Sequence, residues 1–171
     1  FVQSTGNAFG VRATTELQAR QPIMAGNWKM NPATEEDAVV LAAGLAKYLG
    51  DETCPISDDE EGCTEVVVFP PFPFISKVRD IAADAGITVG AQSIYFQDKG
   101  AYTGSVAASM VQSIGCEYVL CGHSERRVVF NDGDESINRK VQKVLSSGMK
   151  PILCIGETKD EYDLNIKNEV C

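Results

Sequence analysis

Tyr118-Val119-Leu120-Cys121-Gly122-His123-Ser124-Glu125-Arg126-Arg127 is the stretch that decides how the chain is read. An apolar run ends in glycine, and the only histidine of the chain follows at once, ahead of a cluster of charges. In α/β proteins reactive groups gather at the C-terminal edge of the sheet, where loops vary over a rigid base. On this reading Tyr118–Cys121 is a strand and His123 belongs to a site at its end. The rest of the chain must then supply the sheet.

Downstream, Asp134 can cap a helix running to about Ser147, with Ile137, Val141, Val144 and Leu145 as its apolar face. Gly148 and Pro151 punctuate, Ile152-Leu153-Cys154-Ile155 reads as a strand, and Lys159 to Cys171 as the start of another helix. Upstream, Ser105 to Ile114 reads as a short helix, preceded by the Gly100-Ala101-Tyr102-Thr103-Gly104 loop and a strand at Ile87–Ala91. Val66-Val67-Val68-Phe69 is continuously apolar, as suits a strand buried on both faces. Pro70-Pro71 stops it, and a helix follows from about Phe74 to Ala85, with Ile75, Val78, Ile81 and Ala82 on one side. The first strand begins at Ile23 and gives way to Gly26, Asn27 and Lys29. Thr34 with Asp37 resembles a capping box, opening a helix whose apolar stripe is Val40, Leu41, Gly44, Leu45 and Tyr48, with Gly50 as its stop. Asp51 to Glu65 is acidic and irregular, and reads as a solvated loop.

Strictly alternating strands and helices with right-handed crossovers make a parallel sheet with helices outside. A doubly wound sheet and a (β/α)8 barrel both satisfy that pattern. Neither the G-x-G-x-x-G dinucleotide signal nor a Walker loop is present, which tilts the choice toward the barrel.

Composition narrows the partners. Fifteen basic residues against twenty-four acidic leave a net charge of -9, whereas nucleic-acid binding needs clustered Lys and Arg. No basic amphipathic stretch suggests a membrane surface, and no apolar run approaches the ~20 residues of a spanning helix. A small molecule or another protein is the expected partner. The six cysteines, at 54, 63, 116, 121, 154 and 171, read as reduced and intracellular, and their spacing does not suit zinc. Residues 1–22 lean toward Ser, Thr and Arg and read as an N-terminal extension, compatible with a transit-peptide remnant. Residues 23–171 are expected to be the domain that holds the sheet, a partial barrel. The expected compartment is the cytoplasm, or a plastid or mitochondrion if the extension is such a remnant.

Three strand ends carry polar groups that a parallel barrel would open onto one face: Asn27 and Lys29, His123 and Glu125, and Glu157. A lysine and an imidazole around one pocket suit an anionic substrate with a carbonyl to polarise. Four motifs, Gly26-Asn27-Trp28-Lys29-Met30-Asn31, Gly100-Ala101-Tyr102-Thr103-Gly104, Cys121–Arg127 and Cys154-Ile155-Gly156-Glu157, stand in the order and context of triosephosphate isomerases. From about Met24 onward the chain resembles that family. The resemblance implies a (β/α)8 barrel with about five of its eight units present. It also implies the interconversion of dihydroxyacetone phosphate and glyceraldehyde 3-phosphate through an enediol, without cofactor.

Carried over by motif, His123 would be the electrophile and proton shuttle. Its imidazole would be neutral at the start of a helix, a device for which this family is itself the standing example. Lys29 would bring positive charge to the phosphate and oxyanion, and Asn27 a hydrogen bond. Glu125 would order the lysine, with Ser124 and Cys154 in support. Thr103 would be the tip of a loop reaching a neighbouring subunit, implying a homodimer. Ser105 stands where the family commonly has a glutamate that pairs with an arginine, here Arg126, across that dimer. The family's general base is a glutamate after a sixth strand, followed by a lid, and a barrel typically takes ~250 residues. The 171 residues are therefore expected to be a C-terminally incomplete isomerase, inactive alone. The alternative is a non-catalytic fragment or phosphate-binding scaffold.

Overall fold

The computed structural model of the chain describes residues 21–49, 64–165 and 168. Most of the N-terminal extension, the acidic run 51–63, Gly50, Cys54, Cys63 and Cys171 lie outside the described residues.

Five strands alternate with helices: β1 Ile23–Asn27, β2 Glu65–Phe69, β3 Thr88–Ala91, β4 Tyr118–Cys121 and β5 Lys150–Leu153. The helices are α1 Glu35–Leu49, α2 Ile75–Ala83, α3 Ala108–Ser113, α4 Ser124–Val129, α5 Asp134–Ser146 and α6 Lys159–Asp163. All strands run parallel in the order β1-β2-β3-β4-β5. The sheet is a curled part of a (β/α)8 barrel rather than a doubly wound sheet.

Side chains alternate across this sheet, as strand geometry requires. Val68, Val89, Ala91, Val119 and Cys121 pack outward against Ala38, Ile75, Val78, Val111, Ile137 and Val144 of the helices. Val67, Phe69, Tyr118 and Leu120 form the concave interior, with Ile152 and Cys154 against them. Among the described residues β1 and β5 each have one strand neighbour, and Ile23, Met24 and Leu153 on them are exposed.

Gly90 explains how the interior fits. A Cβ there would lie 2.3 Å from the Phe69 ring and 2.8 Å from the Tyr118 carbonyl oxygen, so only a bare backbone admits the phenylalanine. At the N-terminal mouth, Glu65 accepts the Thr88 hydroxyl at 3.1 Å and the Tyr118 hydroxyl at 2.6 Å. Glu65 is therefore a buried strand residue and not part of the solvated acidic loop.

Other elements differ in detail from the sequence reading. Helix α1 starts at its Thr34–Asp37 cap, but it buries Ala38 and Ala42, with Leu45, Ala46 and Leu49 partly covered. Val40, Leu41 and Tyr48 are exposed. The covered face is thus the small-residue one, which lets α1 approach closely. Helix α3 begins at Ala108 rather than Ser105, because Tyr95 holds Val106 and Ala107 in an extended bridge. The N-cap of α5 is Gly133; Asp134 bonds Arg127 instead of capping. β5 starts two residues before the apolar run, at Lys150, because its register against β4 pairs Tyr118 with Lys150 and Val119 with Pro151. Proline is tolerated there because the N–H groups that face β4 belong to its alternating neighbours, Lys150 and Cys154 bonding the Glu117 and Cys121 carbonyls, so the Pro151 nitrogen points away from that ladder.

Candidate active site

The site is built where β1 and β4 end. Lys29, two residues past β1, has φ 56, a left-handed conformation uncommon for a residue with a side chain. Its peptide is held at both ends. The Lys29 N–H donates to Asn27 Oδ1 at 2.9 Å, and its carbonyl accepts Gln92 Nε2 at 2.7 Å. The same carboxamide reaches the Phe69 carbonyl at 2.9 Å, and the Trp28 N–H donates to that carbonyl at 3.1 Å.

From this turn the Lys29 ammonium extends to Glu125 Oε1, 2.9 Å away in the first turn of α4. The Lys29 hydrogen bond holds the Glu125 carboxyl below the usual glutamate range; desolvation opposes it, and the Lys29 charge adds to the lowering. His123 is the N-cap of α4, and its Nδ1 accepts the Glu125 N–H at 3.3 Å. An Nδ1 that accepts carries no proton, so in this arrangement the ring proton sits on Nε2. Asn27, Lys29, Glu125 and His123 are therefore one chain of contacts across two strand ends.

Gly122 makes the strand-to-helix turn with φ 76, and the Arg127 guanidinium closes beneath it. Arg127 donates from Nε to the Gly122 carbonyl at 2.8 Å, pairs with Asp134 at 2.6 Å, and reaches the Cys154 carbonyl at 3.4 Å. Cys154 thus contributes its backbone to the support of this turn. Burial pushes its thiol up, with Arg127 opposing; burial likewise takes Cys116 to about 12 and Cys121 to about 11. These three are free thiols. Ser124 opens α4 and is exposed, with Glu157 in the loop after β5.

Thr103 is exposed at the turn after β3, which is braced by the Tyr102 ring 4.7 Å from that of Tyr95. Arg126 is not left wanting by Ser105: its Nε pairs with Asp132 at 2.8 Å, and its guanidinium lies 4.6 Å from the Phe130 ring centre. Asp132 also takes the buried Lys140 at 2.6 Å. Among the described residues no group of three His, Cys, Asp or Glu could hold a metal, and no helix is long and apolar enough to cross a membrane.

The sequence reading missed Gln92, Asp132 and Lys140. Gln92 had a usable signal: it is the first polar residue after the apolar β3, the position that marks His123 after β4.

Fold and site together define a protein of the (β/α)8-barrel class, with an amide, an ammonium and an imidazole linked at its strand ends. The chain belongs to the triosephosphate isomerase family, whose model matches residues 22–171. It is 44% identical over 144 residues to the triosephosphate isomerase of Roseiflexus sp. (strain RS-1), covering 84% of this chain and 53% of that protein. Against the Alkaliphilus oremlandii triosephosphate isomerase it is 42% identical over 146 residues, 85% of this chain and 54% of the relative. The crystal structure of triosephosphate isomerase from Bartonella henselae superposes with a TM-score of 0.73 at 31% identity, covering 88% of this chain and 58% of that one. The chain spans about half the length of the curated relatives it matches.

Proposed function

We propose that this chain carries the electrophilic and phosphate-facing part of a triosephosphate isomerase site, acting on dihydroxyacetone phosphate and glyceraldehyde 3-phosphate. The observation that carries this reading is the contact between Lys29 and Glu125, which ties the end of β1 to the start of α4 beside His123. Lys29 supplies a fixed cation to the phosphate and to the oxyanion that develops as the enediolate forms. Asn27, its oxygen occupied by the Lys29 N–H, has its amide nitrogen left to donate. His123, with Nδ1 occupied, donates from Nε2 to the substrate oxygens; a neutral donor of this kind is the feature for which the family is the standing example. Glu125 orients Lys29 and does not abstract the carbon-bound proton. That proton goes to a carboxylate supplied beyond the fifth strand, and the working unit is a homodimer in which the Thr103 loop meets a second subunit.

The test is a coupled isomerase assay on the 171-residue polypeptide and on a longer protein that continues it through a whole barrel. The longer protein is expected to turn over, and His123→Ala to abolish most of that activity. The shorter one is expected to match its own His123→Ala variant. Turnover by the 171 residues above that control, or none in the longer protein, overturns the proposal.

A further inference from the structure

Lys29 occupies a backbone conformation that its own side chain disfavours, yet its ammonium must sit at one place over α4. Asn27 restrains only the N–H end of that residue. The carbonyl end is held from a different strand, by Gln92 Nε2 at 2.7 Å, and the second hydrogen of that nitrogen goes to the Phe69 carbonyl at 2.9 Å. Both neighbours are acceptors, so only the NH2 of the carboxamide can face them. One primary amide therefore ties the turn after β1 to the end of β2, from the first residue after β3. Among the amides only Gln has this reach, since Asn lacks a methylene, and Glu would set an anion against two carbonyl oxygens.

We propose that Gln92 is a positioning residue for Lys29, clamping the left-handed turn through the Lys29 and Phe69 carbonyls so that the ammonium is delivered to Glu125 and the space before it. The catalytic consequence rests on the isomerase reading above; the placement of Lys29 does not. Without the clamp the turn relaxes toward ordinary backbone angles, and the ammonium swings away from α4.

Two measurements test it separately. In the protein with Gln92→Met, which keeps length and loses both donors, the Glu125 carboxyl followed by carbon NMR should titrate closer to an ordinary glutamate than in wild type. An unmoved Glu125 midpoint overturns the proposal. The second is a double-mutant cycle in urea. Gln92→Met should lower the unfolding midpoint less in a Lys29→Gly background, because glycine adopts the left-handed turn without help. Equal losses in both backgrounds would mean that Gln92 only satisfies a strand end, which also overturns it. If Gln92→Met does not fold, Gln92→Asn takes its place. In a whole-length active enzyme, kcat/KM should fall by about a hundredfold, the order expected for misplacing a catalytic group by about 1 Å. A protein with no isomerase activity, but a shifted Glu125 in Gln92→Met, would sink the isomerase reading and leave the clamp standing.

Discussion

The Nζ of Lys29 lies 2.9 Å from Oε1 of Glu125, and both side chains are about half exposed. Solvent screens so open a pair, so its role is orientation rather than stability. Glu125 has a depressed folded-state value, caused first by the Lys29 hydrogen bond. The sign follows: the pair is intact above the ordinary glutamate value of ~4.3 and is lost only as pH falls through the lower, folded one. Lys29→Met should therefore raise the Glu125 midpoint while barely moving the thermal midpoint at pH 7. Identical Glu125 titrations in the two proteins would show that the pair does not form in solution.

Asp132 is the hub of a different kind of pair. Its Oδ2 takes Lys140 at 2.6 Å and Arg126 at 2.8 Å, and Lys140 is only 3% exposed. Removing the carboxylate strands a buried ammonium, so Asp132→Ala should cost about 3–5 kcal/mol. Adding Lys140→Met removes the stranded charge and should return roughly 0.5–3 kcal/mol of that loss. Burial pushes the Asp132 carboxyl up, but the bonds from Lys140 and Arg126 outweigh it and hold the group below its usual range. Its contribution is thus complete above ~3.9 and disappears as pH falls through the folded value. Urea unfolding across the acid range reads both effects. A double variant no more stable than Asp132→Ala would contradict this account.

Much of this fold can be read from residue order. Val66–Phe69 and Tyr118–Cys121 are buried on both faces and so appear as unbroken apolar runs. His123 and Ser124 mark a helix start because glycine and a polar cap follow a strand. Other features are hidden for physical reasons. Pro151 looks like punctuation and Lys150 lies outside the apolar run, since ladder register rather than hydropathy sets where β5 begins. Glu65 is masked by acidic neighbours, and its burial depends on hydroxyls 23 and 53 residues away. Hydropathy favours Val40 and Leu41 on α1, whereas close packing selects Ala38 and Ala42. Gln92 is uncharged, and its partners are backbone carbonyls that no side-chain pattern displays.

Gly90 offers a packing test of the barrel interior. An alanine methyl would have to displace the Phe69 ring, 2.3 Å from the ideal Cβ, and would also press on the Tyr118 carbonyl at 2.8 Å. Overpacking of this kind costs typically about 1–3 kcal/mol. Gly90→Ala should lower the urea midpoint accordingly, and Phe69→Leu, harmful alone, should be less harmful beside it. Additive losses in the double variant would mean that the ring and the glycine do not share that space.

The Tyr118 hydroxyl donates to Glu65 Oε2 at 2.6 Å, while the Lys150 ammonium sits 4.9 Å from the tyrosine ring centre. Phenylalanine keeps the ring and its packing but leaves a buried carboxylate with one donor fewer. A hydrogen bond to a charged group contributes about 1.5–3 kcal/mol, so Tyr118→Phe should be destabilised by that order. The hydroxyl adds a pH signature. Burial raises its folded-state value, and the Glu65 hydrogen bond and charge raise it further. A raised value means stability that is complete below the ordinary tyrosine range of ~10 and is lost as pH climbs toward the folded one. Wild type should therefore weaken across the alkaline limb more steeply than Tyr118→Phe, so that the two stabilities converge there. Parallel alkaline limbs, measured by urea unfolding from pH 8 upward, would rule out the Tyr118–Glu65 bond as the cause of the neutral-pH difference.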